Sequence, residues 1–206
     1  MPLALSSPSD IINLSLTRIG YKGDRVGSLY EGSEASKYAL DIYAQTRDQM
    51  LRAGDWGFAE RNVNLTLLKQ APASGYFPPS SWDGTVNPPP PWRYEYAYPQ
   101  DALKVRSVKP VPMFVMDFDP QPRPFAVEND NYFVPSQKVI LTNVPNAQLV
   151  YTGQVTDPQV WEADFVDALS ALLGRLLAPV LLNMDAAKFA AADAAQAEEK
   201  ADALRG

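Results

Sequence analysis

Between Val150 and Leu169 a β-type run stops and a strongly apolar helix pattern begins within a few residues, and whatever this chain folds into must accommodate that junction. Val150, Tyr151 and Val155 suit a strand, whose pleated, half-buried surface favours β-branched and aromatic side chains. Asp157 offers a side-chain oxygen to the orphan amides of a helix start, and Pro158 follows where a missing N–H is harmless, so the sequence predicts a helix starting at Asp157 and ending near Pro179. Trp161, Phe165, Leu169, Leu172 and Leu176 then recur at spacings of three and four, the period of one helix face. A stripe of that size needs cover from elsewhere in the chain.

The helices to supply that cover are expected at the amino terminus. Ser9 is a plausible N-cap for a short helix filled by Ile11, Ile12, Leu14, Leu16 and Ile19, with Gly20 placed to end it. A second helix is expected from about Ser33 to Gly54. Its stripe is Ala35, Tyr38, Ala39, Ile42, Thr46, Met50 and Ala53, and its other face carries Lys37, Asp41, Arg47, Asp48 and Arg52. The tail from Asp185 to Gly206 is alanine-rich and reads as a helix with little apolar area of its own.

Between these ends the period changes to two. Val63, Leu65 and Leu67 alternate with polar residues as in a half-buried strand, and Trp92 to Tyr98 alternates with Tyr94, Tyr96 and Tyr98 on one face. Further short strands are expected at 103–108, 113–118, 125–127, 132–134, 138–141 and 148–151, with turns at Asn129-Asp130-Asn131 and Pro145-Asn146. From Ala71 to Pro91 the density of proline excludes regular structure, so a long exposed loop of polyproline character is expected. The fold class is therefore α+β: terminal helices packed together as a bundle (residues 1–60 and 156–206) with the central antiparallel β region (61–155), either a meander or a small barrel, as a separate lobe.

Composition narrows function by exclusion. With 46% hydrophobic and 20% charged residues, the 206-residue chain can bury a core, and its formal charge of −6 argues against general nucleic-acid binding, which needs a basic surface. It has no cysteine and no histidine. Thiolate zinc sites, disulfides, histidine bases and nucleophile triads are thereby removed, and an enzyme would have to use carboxylates, lysine, tyrosine or a hard metal ion. The first residues lack the basic and apolar regions of a secretory signal, and the run from Phe165 to Leu182 is interrupted by Asp167, Arg175 and Pro179, so neither secretion nor a membrane span is expected.

No motif points to catalysis. The glycines at 20, 23 and 27 lack the Gly-Lys-Ser/Thr order of a phosphate loop and read as a helix-to-helix turn. Asp117 and Asp119, and the segment Glu128 to Asn131, offer carboxylates to a cation but no third ligand at motif spacing. A glycosidase-like pair of carboxylates meets only in the fold and has no sequence mark. Trp56, Phe58 and Trp161 sit at element junctions and read as core. Tyr94, Tyr96 and Tyr98 are either a packed sheet face or a stacking platform. Candidate partner contacts are Trp82 and Trp92, which flank the proline-rich loop, together with Phe189 and Leu204 in the alanine-rich tail. No catalytic residue, metal ligand or cofactor is assigned.

Five segments carry a family resemblance in order along the chain. Asn13-Leu-Ser-Leu-Thr-Arg-Ile-Gly20, Tyr43-Ala-Gln-Thr-Arg-Asp-Gln-Met-Leu51 and Trp56-Gly-Phe-Ala-Glu-Arg61 resemble the head-to-tail adaptor family of tailed phages, also called tail tubular protein A. Trp92-Arg-Tyr-Glu-Tyr-Ala-Tyr-Pro-Gln-Asp101 through Arg106 is similar to that family's Tyr-x-Tyr…Pro-x-Asp-x-Leu-Arg-Val segment, and Thr156 to Leu169 to its entry into the carboxy-terminal helices. The departure is the proline-rich insert at 71–91. The resemblance implies a non-enzymatic virion protein made in the host cytoplasm. It implies a homo-oligomeric ring, commonly a dodecamer, between the portal protein and the tail nozzle or tail tube, with DNA passing through its channel without sequence-specific binding. The rival classes are a virion-associated, carboxylate-based cell-wall hydrolase and a host- or sugar-binding module that uses the tyrosine face.

Overall fold

The aromatic residues at the strand-to-helix junction become the centre of one of two units. In the computed structural model, which describes residues 7–75, 82–111, 121–133 and 135–182, the chain divides into a helical unit (Met1–Ala59 with Gln154–Gly206) and a β unit (Glu60–Gly153). The fold is α+β, with three helices and two antiparallel sheets among the described residues.

In the helical unit, α1 spans Pro8–Arg18 and α2 spans Glu34–Ala53. The N-cap of α1 is Ser7, not Ser9. Ser7 accepts from the Asp10 amide while the Asp10 carboxylate accepts from the Ser7 amide, a reciprocal capping box that the sequence order Ser-Pro-Ser-Asp conceals behind a second serine. Gly20, at φ 71°, lets the chain leave α1 in the left-handed conformation. Asn13 then pins the following loop, donating to the Val26 carbonyl at 2.8 Å and accepting from its amide at 2.9 Å. Ser33 caps α2 and Gly54 follows its end, as its sequence suggests. The stripe is shifted, however. Ala35, Ala39, Thr46 and Met50 are buried, but Tyr38 and Ala53 are exposed, and Ser36, Tyr43, Arg47 and Leu51 take the inner positions. Arg47 is thus a buried cation rather than a surface one, and it pairs with Asp48 at 2.7 Å.

The junction itself divides into two elements. Asp157 caps a single 3-10 turn, Pro158–Val160, by accepting from the Gln159 amide at 3.0 Å, and α3 begins only at Ala163 and runs to Leu181. This interruption lets Trp161 turn inward before the helix starts. Its ring meets Phe165 edge-on at 5.0 Å between centroids, and Trp56 and Phe58 approach the same Phe165 at 5.2 and 5.1 Å. Edge-to-face contacts of this kind add to the area buried. Phe165, Leu169, Leu172, Leu173 and Leu177 face inward, while Leu176, expected in the stripe, is 41% exposed because the true face lies one residue away. α3 packs on both α1 and α2. At Gly174 a Cβ would fall 3.0 Å from Ile19 Cγ2 and 3.3 Å from the Ser15 carbonyl, so the glycine permits the close crossing with α1. Arg18 closes that contact by pairing with Asp167.

The β unit contains β1 (Glu60–Asn64), β2 (Leu67–Gln70), β3 (Tyr94–Ala97), β4 (Ala102–Pro110), β5 (Phe125–Asp130), β6 (Gln137–Thr142) and β7 (Ala147–Gly153). The single strand expected across 62–67 is two strands in different sheets, ordered β1-β7-β4 and β2-β3-β6-β5. Non-consecutive neighbours exclude a simple meander. Both sheets contribute to one cluster of Tyr96, Val108, Ile140, Val144, Ala147, Leu149 and Tyr151. Its buried phenols are satisfied: Tyr96 donates to the Val144 carbonyl at 2.9 Å and Tyr151 to Asp101 at 2.9 Å. The turn at Pro145-Asn146 is present, with Asn146 at φ 47°. β5, however, continues through Asn129 and Asp130, and Tyr132 and Phe133, expected to begin a strand, form the turn instead. The strand expected at 113–118, residues Asp117 and Asp119, and the tail helix from Asp185 lie outside the described residues.

Candidate functional site

Charged residues rarely occupy a strand's covered face, and the three that do so here are paired with one another. Antiparallel pairing sets Lys69 of β2 opposite Glu95 of β3, and Glu95 opposite Leu141 of β6. Alternation sends Tyr96 and Ile140 to the core and leaves Lys69, Glu95 and Leu141 on the other face of the sheet. Asp130, at the end of β5, completes the group. All three charged residues are buried, Glu95 to 1% exposure.

Lys69 is the hub. Its ammonium donates to the Gly84 carbonyl at 2.8 Å and to Asp130 Oδ2, and lies 3.5 Å from Glu95 Oε1, an ionic contact too loose for a hydrogen bond. It also faces the rings of Tyr132 and Phe133, at 5.3 and 5.0 Å from their centroids. Burial, a hydrogen bond with Asp130 and the charge on Asp130 push Glu95 up to about 7, against the opposing pull of Lys69. Burial also acts to raise Asp130, but hydrogen bonds from Lys69, the Tyr132 amide and Glu95 outweigh it and hold this carboxyl below the usual range. Glu95 is thus the proton-bearing member of the pair and Asp130 the ionised one.

The proline-rich segment roofs this group rather than standing wholly exposed. Gly84, Asn87 and Pro88 are buried, and a Cβ on Gly84 would fall 2.3 Å from the Tyr132 ring, so only glycine allows that approach. Under the roof is a cavity of about 180 Å³, lined by the three charged residues with Trp82, Asn87, Glu128 and Tyr132 among others. Asp83, on the roof's outer side, is held below the usual carboxylate range by hydrogen bonds from the Thr85 amide and hydroxyl.

Of the sequence-based candidates, Trp82 stands at the mouth of this cavity. It is 37% exposed, packs its ring against Tyr132 at 6.4 Å, and donates to the Pro88 carbonyl at 3.0 Å. Trp92 is half-buried and lines a separate cavity of about 380 Å³ with Gln70, Pro72, Arg93 and Tyr94. Phe189 and Leu204 lie outside the described residues. Tyr96 is buried, and Tyr94 and Tyr98 are half-buried against the same cluster, so the three do not form a solvent-facing stacking platform. Glu128 to Asn131 reaches the cavity wall, but no group of three or more Asp, Glu, His or Cys residues suited to a metal ion occurs among the described residues.

The sequence reading missed Lys69 and Glu95. A signal was present in β6: Val139, Ile140 and Leu141 are consecutive apolar residues, which a strand carries when both of its faces are covered. The neighbours of Leu141, Glu95 included, then had to be covered as well. Among the described residues no helix is long and apolar enough to cross a membrane. No protein-family model matches the chain, and no curated protein matches it.

Proposed function

We propose that this chain is a structural head-to-tail adaptor of a tailed phage, assembling as a ring that joins the portal to the tail and leaves a channel for DNA. Support comes from where the residues that carry the family resemblance sit. They are joints of the scaffold. Arg18 ties α1 to α3 through Asp167, and Trp56, Phe58, Trp161 and Phe165 form one aromatic cluster. Asp101 accepts from Tyr151, and Arg106 reaches Thr152 of β7 at 2.9 Å and Glu60 of β1 at 3.0 Å. A pattern concentrated on joints is what a load-carrying subunit needs, whereas an enzyme's shared pattern gathers around reacting atoms.

A closed ring uses a heterologous interface, so each subunit must offer two unlike surfaces. A helical unit and a β unit of different chemistry supply them. Exposed apolar side chains on the helical unit, Tyr30, Val160, Leu176 and Val180, are suited to burial against a neighbour. The net charge of −6 suits a channel through which DNA passes without being held.

Among the described residues the buried carboxyl pair that the rival hydrolase reading would turn to is Glu95 with Asp130. A carboxyl that hydrogen-bonds its partner leaves no room for a glycosidic oxygen between them, which requires about 5 Å or more. Sedimentation of the purified protein with a portal protein from the same virion tests the adaptor reading, with co-migration as a multi-subunit complex expected. Peptidoglycan zymography tests the rival. Lysis abolished by Glu95→Gln, with no portal complex, would replace the adaptor by the hydrolase.

A further inference from the structure

The roofed cavity of the β unit has more acceptor capacity than the described residues fill. Among them, three carboxyl groups, Glu95, Asp130 and Glu128, line it against one cation, Lys69. Lys69 donates to the Gly84 carbonyl and to Asp130 and keeps an ionic contact of 3.5 Å with Glu95 Oε1, so its charge is already shared between two carboxyl groups and does not draw an anionic ligand. Glu95 Oε1 is buried and, beyond that ionic contact, accepts no hydrogen bond. A buried acceptor in that state costs free energy until a donor reaches it.

We propose that this cavity is a binding site for a cationic alkylammonium group, with Glu95 as its anionic anchor and Trp82 and Tyr132 as its aromatic walls. The volume of about 180 Å³ accommodates a short alkyl chain with its ammonium head. Tyr132 already faces one ammonium, that of Lys69, and Trp82 extends the aromatic surface to the mouth of the cavity, where a second cation enters. The ligand is either a small free amine or the tip of a lysine side chain on a partner, which share this chemistry. The site goes beyond the adaptor reading and stands or falls separately from it.

The ionisation of Glu95 sets the pH response. The charged groups facing it are Lys69 from β2 and Asp130 from β5, with Glu128 farther along β5 on the cavity wall and Asp83 on the roof acting on Lys69. Of these, Glu95 is the one raised to about 7. Its anionic fraction rises about tenfold between pH about 6 and about 8, and binding should strengthen by a similar factor.

Titration of the intact protein with n-butylammonium, followed by NMR of the Trp82 indole N–H and the Tyr132 ring, tests the site. Saturable shifts are expected that strengthen about tenfold over that pH range and are absent with n-butanol, the neutral analogue. Glu95→Gln should weaken binding at least tenfold at the higher pH. Should Glu95→Gln fail to fold, Trp82→Ala at the partly exposed rim, together with the wild-type pH profile, carries the test. A blocked peptide with one central lysine distinguishes the two sources: tighter binding than n-butylammonium indicates a partner side chain, and binding of n-butylammonium alone indicates a free amine. Equal binding of n-butanol, a flat pH profile, or no shift with either cation would overturn the proposal.

Discussion

The helical unit and the β unit solve the problem of burial in opposite ways. The helical unit surrounds Phe165 with Trp56, Phe58 and Trp161, and meets its helix ends with local caps such as Ser7 and Ser33. The β unit buries Lys69, Glu95 and Asp130 on one face of a sheet and relies on their mutual compensation. An apolar centre is insensitive to pH and tolerant of small shifts. A buried charge group is neither, because removing one member leaves the others uncompensated. The more delicate arrangement therefore lies in the unit with fewer large apolar contacts, where it can select a ligand or respond to protons.

Lys69→Met removes the cation beside Asp130 and the donor to the Gly84 carbonyl, and should destabilise the β unit by about 3–5 kcal/mol in denaturant unfolding. Phe165→Ala empties the aromatic centre of the helical unit at a comparable cost of about 3–5 kcal/mol. The two should separate on pH, since the Phe165→Ala loss is the same at acid and neutral pH. If the Lys69→Met loss is also flat with pH, the charge group is not a coupled network.

Glu95 supplies a smaller and more specific effect. Its folded pKa of about 7 is above the ordinary value of 4.5, so its contribution to stability is complete below about 4.5 and is lost as pH rises through about 7. The loss is of order 3 kcal/mol at about 1.4 kcal/mol per pH unit. Asp130 is shifted the other way, so its contribution is present above its ordinary value and is lost as acid protonates it. Together they place the best stability of the β unit in the mildly acidic range. Glu95→Gln should flatten the alkaline side of the stability profile; an unchanged slope would show that Glu95 is ionised in the fold. Tyr151→Phe, which removes a hydrogen bond to the exposed Asp101, should cost about 1 kcal/mol. Ser7→Ala, which opens the capping box of α1, should also cost about 1 kcal/mol or less, and read out only in the helical unit.

The same contrast explains what could be read from the sequence. Helix signals are local. Ser33 and Gly54 bracket α2, Gly20 follows the end of α1, and the spacing of Trp161, Phe165 and Leu169 marks an inner face, because each depends on residues within a turn or two. The errors in that unit are local as well: two serines compete for one cap, and a 3-10 turn intervenes between Asp157 and α3. In the β unit most strands were legible from alternation, but their partners were not. Nothing near Leu65 says that β1 and β2 belong to different sheets, and nothing near Lys69 says that Asp130, sixty-one positions away, will hold it. Trp82 stands out in the sequence as a contact residue for its lack of local cover, but the cavity behind it follows only from the sheet order.

Electron microscopy of the protein mixed with its portal protein bears most directly on the adaptor role. A ring of this chain stacked coaxially on the portal, with an open central channel, is the expected result. Portal particles with no added density, under conditions where the β unit and the helical unit are both folded, would contradict it.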